Sequence, residues 1–109
     1  MLHISNKLVR DNIPDIIQSK GGWAQTRILE EEDYRLALIE KMNEETQEFK
    51  KDNTAEELAD MYEVLLALIS TSGKTLEEIK EIADAKRSKN GAFEKRIFME
   101  MYSDGSVLR

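Results

Sequence analysis

Residues 44–60 read EETQEFKKDNTAEELAD, and this stretch decides the fold because it predicts two helices joined by a short turn. Glu45 and Glu48 precede the turn at spacing i, i+3, and Glu57 and Asp60 follow it at the same spacing. On a helix, this spacing places both members of a pair on one face. Four facing carboxylates predict a Mg²⁺ site, because hard divalent cations bind carboxylate oxygens and often share them with substrate phosphates.

The apolar pattern distinguishes these carboxylates from an ordinary solvated face. With 22 Asp and Glu among 109 residues, an acidic solvated face is the common alternative, and frequency alone gives it about half the weight. At about 100° per residue, however, Glu45 falls in the apolar stripe that contains Leu38 and Phe49. Carboxylates beside a core repel one another and take up protons unless a cation neutralises them. The cluster therefore indicates a metal or a bound cationic group.

Glu57 has a second possible role at the start of the second helix. Thr54-Ala55-Glu56-Glu57 is a capping box, in which Thr54 caps the helix and the Glu57 side chain reaches back to the Thr54 backbone N–H. The cap and the metal site compete for the same oxygens, so both roles stay open. Asp60, one turn further along, is the stronger ligand candidate.

The remaining pattern predicts an all-α chain built on this two-helix acidic hairpin. Turn residues and capping signals place helices at residues 11–19, 31–51, 54–72 and from 75 to near 91. The segment from Phe93 to Tyr102 suits a short extended stretch, with Phe93, Ile97 and Phe98 as apolar anchors that dock it. A turn is expected at residues 104–106.

Length and composition limit the classes of function. A chain of 109 residues predicts a single domain over residues 1–109, for which a dimeric or tetrameric interface would add stability. The net charge of −6 disfavours nucleic acid as a partner. No apolar run is long enough to span a bilayer and no signal-peptide pattern begins the chain, so we expect no membrane partner. The absence of cysteine fits a cytoplasmic location.

Several segments together resemble a known family. They are NKLVRDNIP at residues 6–14, EELAD at 56–60 and GAFEKRIF at 91–98, in addition to the E-E-x-x-E run at 44–48. The combination resembles the all-α nucleoside triphosphate pyrophosphohydrolases, the MazG-like superfamily. Within it, the chain is similar to a small single-domain branch described as phosphoribosyl-ATP pyrophosphohydrolase-like. The resemblance covers nearly the whole chain, and it implies a MazG-like helical bundle.

The resemblance also implies a reaction and a ligand set. It implies cleavage of a nucleotide between its α- and β-phosphates, with Mg²⁺ as the cofactor and Mn²⁺ as an alternative. Glu45 and Glu48 match the family's first ligand pair, and Glu57 and Asp60 match the second. Glu44 or Glu48 would orient or deprotonate the attacking water.

A basic segment near the C-terminus is the predicted substrate-binding element. Lys86 and Asn90 match the family's K-x-x-x-N stretch that contacts substrate, and Lys95 and Arg96 would hold phosphate or sugar. Within residues 86–96 there are five basic side chains, which suits either a solvated face or a triphosphate clamp. The acidic cluster upstream favours the clamp.

Several alternatives stay open at this point. Lys7 and Arg10 are the next phosphate-binding candidates, although Arg10 could equally form a structural ion pair with Asp11. Phosphoribosyl-ATP is the alternative substrate. It is disfavoured because the acidic helix of phosphoribosyl-ATP pyrophosphohydrolase is associated with an initial Gly-Glu-Glu, whereas this chain has Asn43-Glu44-Glu45. A different class of function is a non-catalytic helical interaction module, in which the acids pair with Lys or Arg across an oligomer interface.

Overall fold

The computed structural model describes residues 1–105, and the regular structure within them is entirely helical. The helices are α1 (Ile13–Ser19), α2 (Glu31–Asp52), α3 (Ala55–Ser70) and α4 (Leu76–Asn90). The predicted all-α class is therefore confirmed, and the helix ends differ from the predicted ones by only one or two residues. None of the helices described in residues 1–105 is long and apolar enough to cross a membrane.

A proline and two glycines set the ends of α1. Pro14 lies in the first turn, where its missing N–H removes no helical hydrogen bond and its fixed φ suits the helix. After the helix, Gly21 has a φ of +88°, a conformation that side chains disfavour. The Gly22 N–H then donates to the Ile17 carbonyl at 3.0 Å, which closes the end of the helix.

A two-residue connection joins α2 to α3. Asn53 adopts a left-handed conformation (φ 52°, ψ 49°), and its N–H donates to the Phe49 carbonyl at 2.7 Å. Asparagine tolerates this conformation better than most residues with a side chain. Thr54 then caps α3, because its Oγ1 accepts a hydrogen bond from the Glu57 N–H at 3.3 Å. The two long helices therefore fold back on each other as the predicted hairpin.

Packing within the chain is concentrated between α2 and α3. Leu38 on α2 and Val64 and Ile69 on α3 are the buried hydrophobic residues of the described chain, with exposures of 3%, 8% and 7%. Met42 and Phe49 continue the Leu38 stripe and are half-buried. Glu45 lies in the same stripe, which brings a carboxylate to the edge of the core.

The chain divides into two compact units, Met1–Leu76 and Glu77–Arg109. The first contains α1, α2 and α3. The second contains most of α4 followed, within the described residues, by a segment without regular structure. At the start of that segment, the Gly91 N–H donates to the Arg87 carbonyl at 2.8 Å, and Gly91 has a φ of +85°.

The predicted docking of the segment from Phe93 to Tyr102 was wrong. No strand occurs in residues 1–105, and the three expected anchors are exposed: Phe93 at 96%, Ile97 at 79% and Phe98 at 87%. The backbone turns instead, because the Arg96 N–H donates to the Phe93 carbonyl at 3.1 Å and Arg96 has a φ of +56°. Further on, the Gly105 N–H donates to Asp104 Oδ1 at 2.6 Å, whereas the last residue of the predicted turn, Ser106, lies outside the described residues.

Candidate functional site

The hairpin brings the carboxylates of two helices to one open pocket of about 490 Å³ in the first unit. Its lining includes all of the predicted metal ligands and predicted catalytic acids. The lining residues are Lys7, Lys41, Glu44, Glu45, Gln47, Glu48, Glu57 and Asp60. The short connection between α2 and α3 is what makes this possible, since it turns the second acidic pair back towards the first.

Two groups of carboxylates have the spacing of metal ligands. One oxygen from each of Glu45, Glu57 and Asp60 lies within 4.8 Å of the others, and the same holds for Glu48, Asp52 and Glu57. Glu57 belongs to both groups. The four predicted ligands are therefore close together, although they are distributed over two overlapping groups.

Asp52 is a candidate ligand that the sequence interpretation missed. The predicted helix over residues 31–51 ends before it, but α2 continues through Asp52. The side chain consequently lies one turn beyond Glu48, on the same face of the helix. The i, i+4 spacing between these two acids was the available signal.

Glu57 lies at the centre of the cluster, and its pKa is raised. Loss of hydration raises its pKa above the ordinary value of 4.5, and a hydrogen bond with Glu45 together with the negative charges of Glu45, Asp60 and Glu48 raises the pKa further. One of its oxygens, Oε2, is hidden from solvent and has no hydrogen-bond partner within residues 1–105. An unpartnered carboxylate oxygen among other acids is stabilised only by a proton or a cation.

The two possible roles of Glu57 are separated in the structure. Its backbone N–H completes the Thr54 half of the capping box, whereas its carboxylate lies close to the carboxylates of Glu45 and Asp60. Thr54 therefore caps α3 while the Glu57 carboxylate faces the other acids. The side chain of Glu45 is only 14% exposed, as expected from its position in the apolar stripe.

Two kinds of cationic side chain approach the cluster. Arg10 donates from Nη2 to Asp60 Oδ1 at 2.7 Å, which joins the N-terminal segment to α3. Lys41 Nζ lies 3.8 Å from Glu44 Oε2 and 3.8 Å from Glu45 Oε1, too far for strong hydrogen bonds. Arg10 thus pairs with Asp60 and not with the neighbouring Asp11, a contact between residues 50 positions apart that no local pattern could reveal.

The predicted substrate-binding residues lie in the second unit. Lys86 and Asn90 are exposed and four residues apart on α4, and Lys95 and Arg96 are exposed in the segment that follows. Their contact with a substrate stays a prediction.

The carboxylate geometry and the charge of the pocket lining are the evidence for its chemistry. No protein-family model, curated protein or solved structure matches the chain. A pocket with clustered carboxylate oxygens and a few cations can bind a hard divalent cation and, beside it, an anion that such a cation attracts. Phosphate groups are the biological anions that most often share Mg²⁺ with protein carboxylates.

Proposed function

We propose that this protein is a Mg²⁺-dependent nucleotide pyrophosphohydrolase of the MazG-like type. It would hydrolyse a nucleoside triphosphate to a monophosphate and pyrophosphate. This reaction would remove non-canonical or surplus nucleotides. Mn²⁺ would substitute for Mg²⁺, since both ions take oxygen ligands. A cytoplasmic location is part of the proposal, because free nucleotide triphosphates are the substrate class.

The unpartnered Oε2 atom of Glu57 is the observation that carries this proposal. It lies among the carboxylates of Glu45, Glu48 and Asp60, whose combined negative charge a bound cation would neutralise. Oxygen donors at this spacing fit Mg²⁺, and Asp52 adds a further one. The ligands would be Glu45, Glu48, Glu57 and Asp60. When bound, Mg²⁺ neutralises phosphate charge and makes a water more acidic.

The residues of the chain would then divide the reaction between them. A water oxygen forms a bond to the α-phosphorus, and the bond from that phosphorus to the bridging oxygen breaks, which releases pyrophosphate. Glu44 or Glu48 accepts the proton of the water as general base. Glu44 suits this role because it lines the pocket but belongs to neither group of closely spaced ligand oxygens. Lys7 lies in the same lining, where its ammonium would attract phosphate oxygens.

A homo-oligomer, dimeric or tetrameric, is also part of the proposal. Leu58, Tyr62 and Leu65 form an apolar row on α3 at spacing i, i+4, i+7, and they are 50%, 54% and 44% exposed. Such a row on one helix face is typical of a surface that packs against another helix. Sedimentation velocity would test this part separately, with Tyr62→Glu expected to shift the chain towards monomer.

Phosphoribosyl-ATP is the alternative substrate within the same reaction class. A non-catalytic interaction module is the alternative of another class. The Arg10–Asp60 pair shows a cluster acid bound to a basic side chain within one chain, whereas the module needs such pairs across an oligomer interface. The module predicts that Mg²⁺ has no effect on the melting temperature. The enzyme predicts a rise, because a ligand that binds the folded state stabilises it by mass action.

The decisive experiment is a screen for pyrophosphate release across nucleoside triphosphates and phosphoribosyl-ATP, with and without Mg²⁺. Glu45→Gln removes a predicted ligand, and Glu63→Gln is the matched control because Glu63 is an exposed acid of α3 outside the pocket lining. We expect release only with metal, lost in Glu45→Gln and retained in Glu63→Gln. No release from any nucleotide, or equal release by both variants, would reject the proposed function.

A further inference from the structure

The N-terminal segment positions a permanent positive charge on one of the proposed ligands. Residues 1–12 contain no helix or strand, yet Arg10 is fixed at the start of α1, where its carbonyl accepts the Ile13 N–H at 3.1 Å. From there its guanidinium reaches across to α3 and donates to Asp60 Oδ1 at 2.7 Å. Arginine stays protonated at every physiological pH, so this charge is always present.

The Arg10–Asp60 contact has the properties of an exchangeable pair. The two side chains are 55% and 40% exposed, and exposed ion pairs of this kind contribute little to stability. Arg10 uses one N–H in this bond, and within residues 1–105 its other donors have no partner. A planar guanidinium with free donors is well suited to phosphate oxygens.

Asp60 therefore has two competing uses. It is one of three carboxylates whose oxygens lie within 4.8 Å of one another, and it is also the acceptor of the Arg10 hydrogen bond. A divalent cation bound to this group would lie close to the guanidinium charge and would be repelled by it. A phosphate beside that cation would instead attract Arg10.

We propose that Arg10 is an exchangeable counter-ion and phosphate-binding residue: it holds Asp60 when the cluster lacks a metal, and a divalent cation displaces it towards the substrate phosphates. This inference rests on the proposed function, because it takes the cluster to be a metal site. It has an unusual consequence. Loss of Arg10 should strengthen metal binding while it weakens phosphate binding, whereas loss of an ordinary ligand or structural residue weakens both.

The test measures binding of Mn²⁺ alone by electron paramagnetic resonance of the free ion. Arg10→Gln is compared with the wild type and with Arg35→Gln. Arg35 is the matched control because it forms a similar exposed pair, donating to Glu32 at 2.9 Å, but Glu32, unlike Asp60, does not line the pocket. We expect Arg10→Gln to bind Mn²⁺ about three- to tenfold more tightly than wild type at low ionic strength, and Arg35→Gln to be unchanged.

The second measurement is the calorimetric affinity for inorganic tripolyphosphate at saturating Mn²⁺, a probe that needs no particular base. We expect Arg10→Gln to lose about tenfold or more, since a charge-assisted contact is removed. Arg10→Lys should restore the Mn²⁺ affinity of the wild type, because it restores the competing charge. Circular dichroism establishes that each variant is folded.

The outcomes separate this inference from the proposed function. If wild type and Arg10→Gln bind Mn²⁺ with the same affinity, the proposed metal site is retained but the proposed displacement of Arg10 by the metal is overturned. Failure of Arg10→Gln to fold, with Arg10→Lys folded, also overturns it, since Arg10 is then a structural anchor. Wild type that binds no Mn²⁺ at all would overturn both proposals.

Discussion

Asp60→Asn tests the metal site most directly, because the side chain keeps its shape and loses its charge. Asn can still accept a hydrogen bond from Arg10, and the pair it replaces is exposed on both sides. Such a pair contributes about 0.5 kcal/mol, so the melting temperature of the metal-free protein should fall by only about 2–4 °C. The fold is therefore expected to survive, so the effect of the substitution on metal binding can be measured on folded protein.

The expected effect on metal binding is larger. Loss of a ligand or of its supporting partner weakens metal affinity by about ten- to a hundredfold. At a Mg²⁺ concentration about ten times the wild-type Kd, bound metal stabilises the wild type by about 1.4 kcal/mol but stabilises the variant by about 0.4 kcal/mol or less. The Mg²⁺-induced rise in melting temperature should therefore shrink from about 6–11 °C to at most about 3 °C.

Differential scanning fluorimetry across a Mg²⁺ series measures both quantities in one experiment, and pyrophosphate release measures turnover. Glu63→Gln again serves as the control for removal of one carboxylate charge from α3. A full Mg²⁺ response in Asp60→Asn, together with activity within about twofold of wild type, would show that Asp60 is not a ligand. A large loss of metal-free stability would instead show that the Arg10 pair holds the fold.

Three further predictions follow from the cluster and the core. Because the pKa of Glu57 is raised, the folded chain keeps a proton on this carboxyl over a pH range in which the unfolded chain has released it. The stability of the metal-free protein should therefore fall as pH rises from about 4.5 through the raised pKa. Urea denaturation across pH should show this fall flattened in Glu57→Gln, and an unchanged slope would contradict the electrostatic account. Asp52→Asn should lower Mg²⁺ affinity by about tenfold with little change in metal-free stability, measured by the same melting series; wild-type affinity would remove Asp52 from the site. Leu38→Ala should destabilise the chain by about 2–5 kcal/mol in urea denaturation, since Leu38 is only 3% exposed, and a loss below about 1 kcal/mol would mean that its position in the core is not maintained.

The hairpin could be predicted from the sequence because its signals are local. The apolar stripe through Leu38 and Phe49 and the Thr54 cap each depend on residues within one or two helical turns. The same stripe indicated that Glu45 lies at the edge of the core, and its exposure of 14% agrees with that prediction.

Other features depend on contacts that no local pattern encodes. The Arg10–Asp60 bond joins positions 50 residues apart. Asp52 was missed because a polar pair before a capping residue is typical of residues that follow a helix. In the structure, Asp52 is instead the last residue of α2. The apolar side chains of Phe93 and Phe98 predicted docking, but apolar character alone does not create a partner surface, and both are exposed.

The left-handed turn at Asn53 makes the length of the connection a determinant of the site. Only Asn53 and Thr54 separate α2 from α3, so the turn fixes the rotation of α3 about its own axis. One residue inserted in the first turn of α3, ahead of Glu57, would rotate every later residue of the helix by about 100° relative to the turn. Glu57 and Asp60 would then rotate away from Glu45 and Glu48 by that angle. Substitutions at exposed positions outside the pocket lining therefore leave the carboxylate arrangement in place, whereas a change in the number of residues at the turn moves two of its carboxylates in a single step.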